Sequence, residues 1–153
     1  MEVLRIADAT LLLAFASIYL GTGVTEVFFV FPIQSKLTPE TYKVPFIDPV
    51  VNATNFFRIM TILMLIGSAG MIALELGTAY WIPIAAYLLF TVGATVLTTQ
   101  RIFAVNAVLE AGMTDPVALQ QTLTRWRQLN LYRAGFWVLE WIAITTWWVF
   151  RVA

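Results

Sequence analysis

Residues 126–151, WRQLNLYRAGFWVLEWIAITTWWVFR, decide how the rest of the chain is interpreted. Most of this stretch is apolar and aromatic, yet polar residues recur in it at the spacing of a helix face. With about 3.6 residues per turn, five positions fall on one narrow face. They are Trp126, Asn130, Arg133, Trp137 and Glu140. A helix divided in this way turns its apolar side to lipid and its polar side toward neighbouring helices.

The composition points the same way. The 153 residues are 60% hydrophobic and 12% charged, whereas ordinary soluble domains are about 25% charged. Several apolar runs reach the roughly 20 residues that a helix needs to cross a bilayer. The first run is too long for a signal peptide and lacks a clear small-residue cleavage site, so we expect it to be retained.

These observations predict an all-α fold, an integral membrane up-and-down four-helix bundle in a single domain of residues 1–153. The predicted helices cover residues 7–31, 54–76, 81–111 and 116–151. Four prolines between residues 32 and 49 interrupt any helix there and predict a long first loop. The third helix, at about 30 residues or 45 Å, exceeds the hydrocarbon thickness, so its hairpin with the fourth should project from the membrane.

The distribution of Lys and Arg predicts the orientation. In this topology the termini and the second turn share one side, here called the terminal side, and the long loop and the hairpin share the opposite, loop side. The terminal side carries Arg5 and Arg151, and the loop side carries five basic residues. These are Lys36, Lys43, Arg101, Arg125 and Arg127. The excess predicts a cytoplasmic loop side, in a bacterial inner membrane.

The residue types that are missing exclude several kinds of site. The chain has no Cys and no His, which excludes thiolate nucleophiles, histidine-ligated haem and histidine-bound metals within it. We therefore predict no metal and no cofactor. Because the formal net charge is zero and no basic cluster occurs, nucleic acid is not expected as a partner.

Polar residues of all four predicted helices converge toward the loop side. Glu26 lies near the end of the first helix, and Asn55 and Arg58 lie near the start of the second. Asn106 lies toward the end of the third, and the polar face of residues 126–140 begins at the same depth. Up-and-down threading brings these ends together, so we expect one polar site there.

Glu140 is expected deeper, about 15 Å beyond Asn130 along the helix axis. A charged side chain near the bilayer centre costs about 2.5–3.5 kcal/mol on insertion scales. The Glu140 carboxyl should therefore be protonated, paired or next to water. Arg133, two turns away, and Arg58 of the second helix are its candidate partners.

Such a set of groups is suited to an apolar molecule with an oxygen-bearing end. A carboxylate could take a proton, and guanidinium groups could stabilise the resulting enolate or phenolate. The candidate catalytic residues are Glu26, Arg58 and Arg133. The candidate substrate-binding residues are Asn55, Asn106, Trp126, Asn130, Trp137 and Glu140. The same contacts could also serve only to hold the four helices together.

The C-terminal half resembles the anthrone-oxygenase-like family of small four-helix membrane proteins. The resemblance rests on Asn106, the helix start Thr114-Asp115-Pro116, Trp126 and the pair in Asn130-Leu131-Tyr132-Arg133. It implies a four-helix membrane fold with a polar site. Because a few members are associated with oxidation of anthrones to anthraquinones, it also implies a cofactor-free oxygenase acting on an aromatic or polyketide-like molecule.

Other functions fit the same residues. A helical chain rich in Trp and Phe without redox ligands suits an accessory or scaffold subunit of a larger respiratory or photosynthetic membrane complex. Other membrane subunits, or further copies of the chain in a homo-oligomer, would then be its partners. A small transporter using Glu140 as a proton site is a third interpretation.

Overall fold

A computed structural model describes the backbone of residues 2–152, and the side chains of all of these except Pro45, Val51, Asn52 and Val152. Every regular element in this range is helical. Five α-helices follow one another along the chain. They are α1 (Glu2–Thr25), α2 (Asp48–Glu75), α3 (Trp81–Leu97), α4 (Phe103–Ala111) and α5 (Pro116–Val152).

Short turns of other helix types join or extend these elements. A π-helical turn, Glu26–Val30, and a 3₁₀ helix, Phe31–Lys36, extend α1. A second π-helical turn, Thr98–Ile102, joins α3 to α4, so that Trp81–Ala111 forms one continuous helix. A third, Lys43–Ile47, leads into α2. The chain thus has four long helical segments, two of which contain the wider π-turn spacing often found at functional sites.

The first two predicted helix ranges, 7–31 and 54–76, were wrong at their ends. Helical turns continue past Pro32, because this proline lies in the first turn of the 3₁₀ helix, where its missing N–H needs no partner. Likewise α2 begins at Asp48, with Pro49 in its first turn. The prolines therefore start new helices and leave a shorter loop than expected. The other two segments match the predicted 81–111 and 116–151 to within one residue.

Three of the long segments are long and apolar enough to cross a membrane: Glu2–Lys36, Asp48–Glu75 and Trp81–Ala111. Four such helices were predicted, but α5 does not belong to this group. Its mean hydropathy is lowered by charged side chains along its length. These are Arg125, Arg127, Arg133, Glu140 and Arg151.

The long helices pack in a closed order. Helix α1 contacts α2, α2 contacts α3, α3 contacts α5, and α5 returns to α1. The main core lies between these four and includes the fully buried side chains of Leu12, Met64, Tyr87, Ile144 and Trp147. This packing makes the polar face of α5 an inner face, since both of its neighbours approach it from the core side.

A second core lies where the first loop packs on the α4–α5 hairpin. Tyr42, which is fully buried, donates a hydrogen bond from its hydroxyl to the carbonyl of Leu109 at 2.7 Å. The same hydroxyl accepts the Met113 N–H at 3.0 Å. Gln120 of α5 donates to the carbonyl of Leu37 at 2.9 Å. These bonds fix the loop on the hairpin.

An ion cluster lies at the other end of the helices, away from the first loop and the hairpin. The Glu75 carboxylate is fully buried, with its Oε1 3.8 Å from Arg5 Nε and 3.6 Å from Arg151 Nε. Glu2 bridges the same two arginines at 3.3 and 2.7 Å. The cluster thereby ties α1, α2 and α5 together at one end.

Candidate functional site

The predicted polar face of α5 is buried against α1, α3 and α4. Asn130 is completely inaccessible, and Trp126, Trp137 and Glu140 are at most 4% exposed. Arg133 retains 16% of its side-chain exposure. The helical spacing of these five residues therefore does bring them to one inner face.

An ion pair between α5 and the end of α1 forms the centre of the site. Arg133 Nη2 donates to Glu26 Oε1 at 2.8 Å, and both side chains are about one-seventh exposed. Glu26 is the first residue of the π-helical turn that follows α1. The Arg133 guanidinium also lies over the ring of Trp137, 4.6 Å from its centroid. The aromatic face and the carboxylate hold the cation from two directions.

Tyr19 completes the aromatic side of this pair. Its ring lies 5.1 Å from that of Trp137. Its hydroxyl bonds to the Phe57 carbonyl at 2.9 Å and to the Thr61 hydroxyl at 2.6 Å. Tyr19 precedes Glu26 by seven residues, which is two helical turns, so the two side chains lie on the same face. The contact of Tyr19 with Trp137 was not predicted.

An amide–indole network lies toward the hairpin. The Trp126 indole N–H donates to Asn106 Oδ1 at 2.9 Å, and the Asn130 amide donates to the Trp126 carbonyl at 2.8 Å. Asn106 and Trp126 are both buried. This network joins α4 to α5 at the level where the second core meets the first, so Asn106 and Trp126 are positioned by each other.

Glu140 lies further along α5 and is 1% exposed. It forms no ion pair with any described Lys or Arg side chain, including the two candidate partners Arg133 and Arg58. The hydroxyl of Thr91 lies near its carboxyl group. Thr91 donates to the carbonyl of Tyr87 at 3.0 Å.

Four buried polar atoms, one at Glu26 and three between residues 130 and 140 of α5, have no hydrogen-bond partner among the described residues. They are Glu26 Oε2, Asn130 Oδ1, Arg133 Nε and Glu140 Oε2. Buried polar groups are normally satisfied, so these atoms are places where water or a ligand could bind. Three acceptors and one donor are available to a bound molecule.

Two predicted site residues do not join the others. Asn55 and Arg58 are both exposed on α2, and the described side chains give Arg58 no ion pair and no hydrogen bond. A pair of polar residues one turn apart defines too short a pattern to tell which way a helix face points. Their predicted roles in binding and catalysis therefore have no geometric support from contact with Glu26 or Arg133.

Sequence reasoning missed the buried ion cluster around Glu75. A glutamate at the end of an apolar helix, before a Gly-containing turn, is ordinarily expected to be exposed to water. Only contacts between distant parts of the chain reveal its partners, Arg5 and Arg151. Within residues 2–152, no three carboxylates come together in a way that could hold a metal ion.

Comparisons of the chain with protein-family models, with curated proteins and with solved structures found no match. The site itself consists of a mostly buried carboxylate–guanidinium pair, an aromatic wall, and unpartnered acceptors at Glu26 and on the inner face of α5.

Proposed function

We propose that the chain is a small integral membrane protein, an up-and-down bundle in which α5 is a fourth crossing helix. Three apolar segments of sufficient length support this, together with large apolar side chains that face outward along them. Examples are Phe28, Ile59, Ile66, Leu89 and Val96, all more than half exposed. In a membrane, lipid would cover these side chains and shield their apolar surface from water.

The charged residues of α5 fit this arrangement because they face inward. Glu140 is buried, and Arg133 is satisfied largely within the protein by Glu26 and Trp137. Leu131, Leu139, Ile142 and Val149 of the same helix are more than 40% exposed. A helix of low average hydropathy can therefore present an apolar surface to lipid. The basic loop side would face the cytoplasm of a bacterial inner membrane.

The function that this site supports best is binding of a lipophilic, aromatic or polyketide-like molecule. The observation that carries this proposal is the set of unpartnered buried atoms beside the Glu26–Arg133 pair. A carbonyl or phenolic oxygen could accept from the Arg133 Nε–H, and hydroxyl groups could donate to the free carboxyl or amide oxygens. Trp137 and Tyr19 would contact an aromatic ring.

The same groups support proton abstraction from a carbon next to a carbonyl. Glu26 Oε2 is the free acceptor for the proton, and Arg133 is placed to stabilise the enolate that forms. In a cofactor-free oxygenase the carbanion carbon would then bond to dissolved dioxygen. The peroxide would take up the proton, and loss of water would convert the CH₂ group into a carbonyl. The resemblance to the anthrone-oxygenase-like family favours this reaction.

Anthrone oxidation tests the assignment directly. The purified protein in detergent should accelerate conversion of anthrone to anthraquinone with one dioxygen consumed per anthrone, measured by absorbance and by an oxygen electrode. Glu26→Gln and Arg133→Ala should each lower the rate by about 100-fold or more, the usual contribution of a general base. Circular dichroism must show that both variants stay helical.

Matched controls separate the site from general effects. Arg125→Ala, an exposed arginine on the same helix, should leave the rate unchanged. Arg58→Ala shows whether the exposed guanidinium of α2 contributes as predicted from the sequence. A protein-free sample measures the spontaneous oxidation of anthrone. Equal rates with wild-type protein, with Glu26→Gln and without protein would reject the enzymatic assignment.

The alternative function, an accessory subunit of a larger membrane assembly, is favoured by one surface feature. Phe28 and Phe29 are adjacent in the chain and each is 68% exposed, at the loop-side end of the first segment. Such aromatic pairs are common anchors in subunit interfaces. Purification from the native membrane in a mild detergent distinguishes the two functions. Co-purifying subunits in fixed ratio would support the accessory role, and an isolated chain would count against it.

A further inference from the structure

A crevice between the 3₁₀ helix Phe31–Lys36 and the first half of α5 lies outside the site described above. Its volume is about 160 Å³, below the roughly 300–1,000 Å³ of pockets that enclose drug-sized molecules. Its lining includes Phe31 and Gln34 on one side and Gln120 and Arg127 on the other. Its size suits a small polar group, not a ring system.

The walls of the crevice are held in place by contacts between the two elements. Gln120 donates from its side-chain amide to the carbonyls of Gln34 and Leu37, at 3.3 and 2.9 Å. The ring of Phe31 packs edge-on against Trp126 at 6.0 Å. The 3₁₀ helix is therefore fixed on α5, and the crevice between them has a defined shape.

One lining side chain is buried and unpartnered. Gln34 is 5% exposed, and its Nε2 has no hydrogen-bond partner among the described residues. A buried amide donor without an acceptor is unfavourable, because it has lost its hydrogen bond to water. A ligand that supplies an acceptor oxygen would remove this penalty.

The crevice also carries positive charge. Arg127 is exposed at its rim, with its guanidinium held 5.8 Å above the ring centroid of Phe31. Among the described residues that line the crevice, Arg127 is the charged one, and the two wall segments, residues 31–37 and 120–128, contain no acidic residue. Lys36 and Arg125 belong to these segments but lie outside the crevice. A guanidinium with five donors in a planar fork matches phosphate oxygens in geometry as well as in charge.

We propose that this crevice binds a phosphate group, with Arg127 and the side-chain amide of Gln34 as its donors. The phosphate could belong to the headgroup of an anionic lipid or to a soluble phosphate compound, since both present the same oxygens. The crevice adjoins the loop-side end of the first apolar segment, where lipid headgroups would lie in the proposed membrane arrangement.

Thermal unfolding of the full-length protein in detergent tests this with three probes. They are dioleoyl phosphatidylglycerol, dioleoylglycerol, which has the same chains without phosphate, and inorganic phosphate. Phosphatidylglycerol should raise the unfolding temperature in a saturable manner, and dioleoylglycerol should not. Saturable stabilisation by inorganic phosphate as well would identify a soluble source, and stabilisation by the lipid alone would identify a headgroup; either supports the site.

Variants then locate the binding. Arg127→Gln should weaken the apparent affinity about tenfold or more, as expected for loss of a charge-assisted hydrogen bond. Gln34→Met, which keeps the length of the side chain and removes the amide, should weaken it in the same direction. Arg125→Gln, equally exposed and two residues away but outside the crevice, is the matched control and should change the affinity less than twofold.

Three outcomes would overturn the proposal. One is equal stabilisation by dioleoylglycerol, which would show binding of the acyl chains. Another is equal weakening by Arg125→Gln and Arg127→Gln, which would show attraction to the basic surface without a defined site. The third is the absence of saturable stabilisation by either phosphate probe. None of these outcomes depends on the oxygenase activity proposed for the Glu26–Arg133 site.

Discussion

Glu26 and Glu140 are both acidic side chains on the inner side of the helices, but their surroundings differ. Glu26 has a guanidinium at 2.8 Å, whereas Glu140 is 1% exposed and has the Thr91 hydroxyl nearby but no described cationic partner. A buried carboxylate without a counter-charge is strongly unfavourable. The charge of Glu26 is thus compensated within the protein, whereas no described cation compensates a charge on Glu140.

Substitution by glutamine distinguishes these two situations. Glu26→Gln should lower the free energy of unfolding by about 1.5–3 kcal/mol, because the charged hydrogen bond to Arg133 is lost. Glu140→Gln should lower it by less than about 1 kcal/mol or raise it, because a neutral amide replaces a group that is costly to bury. Unfolding in detergent followed by circular dichroism measures both. A larger loss of stability for Glu140→Gln than for Glu26→Gln would contradict this reading.

The side chains of α5 show which residues of the site the helical repeat can place. The residues at positions 126, 130, 137 and 140 could be placed on a buried face because 3.6 residues per turn fixes their relative directions. Asn55 and Arg58 could not be placed, since two residues do not define a face and α2 has no continuous polar stripe. The ion pair of Glu26 was not predicted either: the sequence offers Arg133 as a partner of Glu140, whereas its guanidinium bonds to Glu26, and Glu140 forms no ion pair with a described side chain.

Helix α3 meets α5 closely at one glycine. A methyl group added at Gly93 would lie 2.9 Å from Cε1 and 3.1 Å from Cζ of the Phe136 ring. At Gly135, the residue next to that phenylalanine on α5, nothing lies within 4 Å of the same methyl position. Gly93 therefore permits close packing of α3 on α5, as small residues do in membrane proteins. Gly135 takes no part in this packing.

Alanine at these two positions should have opposite effects. Gly93→Ala should destabilise the protein by about 1–3 kcal/mol, the usual cost of overpacking, because the Phe136 ring must move. Gly135→Ala should stabilise it by up to about 1 kcal/mol through its better helix propensity. Thermal unfolding of the two variants under identical detergent conditions measures the difference. Equal effects would show that the helices do not meet at Gly93.

Element boundaries near prolines were the least predictable part of the fold. The sequence predicts that Pro32 and Pro49 interrupt helices, yet each occupies the first turn of a helix, where a missing N–H is harmless. Sequence alone cannot tell a proline that ends one helix from a proline that starts the next. The hydrogen bond from Tyr42 to Leu109 could not be predicted either, because its acceptor is a backbone carbonyl, which every residue carries.

At the scale of the molecule, the proposed membrane arrangement has two distinct ends. The first loop and the α4–α5 hairpin lie at one, and the ion cluster of Glu2, Arg5, Glu75 and Arg151 lies at the other. The closed order of helix contacts follows from short connections between antiparallel neighbours. The sequence predicted the helical class and all four long segments, but the charges of α5 keep it from being apolar enough to count as a crossing helix by composition.

Cysteine labelling tests the orientation, since the chain has no cysteine of its own. Glu40→Cys marks the first loop and Ala79→Cys marks the turn between α2 and α3; both positions are exposed. In bacterial cells stripped of their outer membrane, an impermeant maleimide should label Ala79→Cys at once and Glu40→Cys only after permeabilisation. Labelling of both from the same side would contradict a crossing by α2, and the reverse pattern would contradict only the predicted orientation.

The closed order of the helices has a consequence for biosynthesis. Arg133 follows Glu26 by 107 residues, and ribosomes add roughly 5–20 residues per second. The carboxylate of a nascent chain thus waits on the order of 5–20 s for its cation while α1, α2 and α3 emerge first. In the proposed membrane arrangement, the groove that α5 will fill is open during that interval, and an acid faces the bilayer. Insertion in that arrangement would require water, protonation or an insertase to shelter Glu26 until translation supplies the last helix.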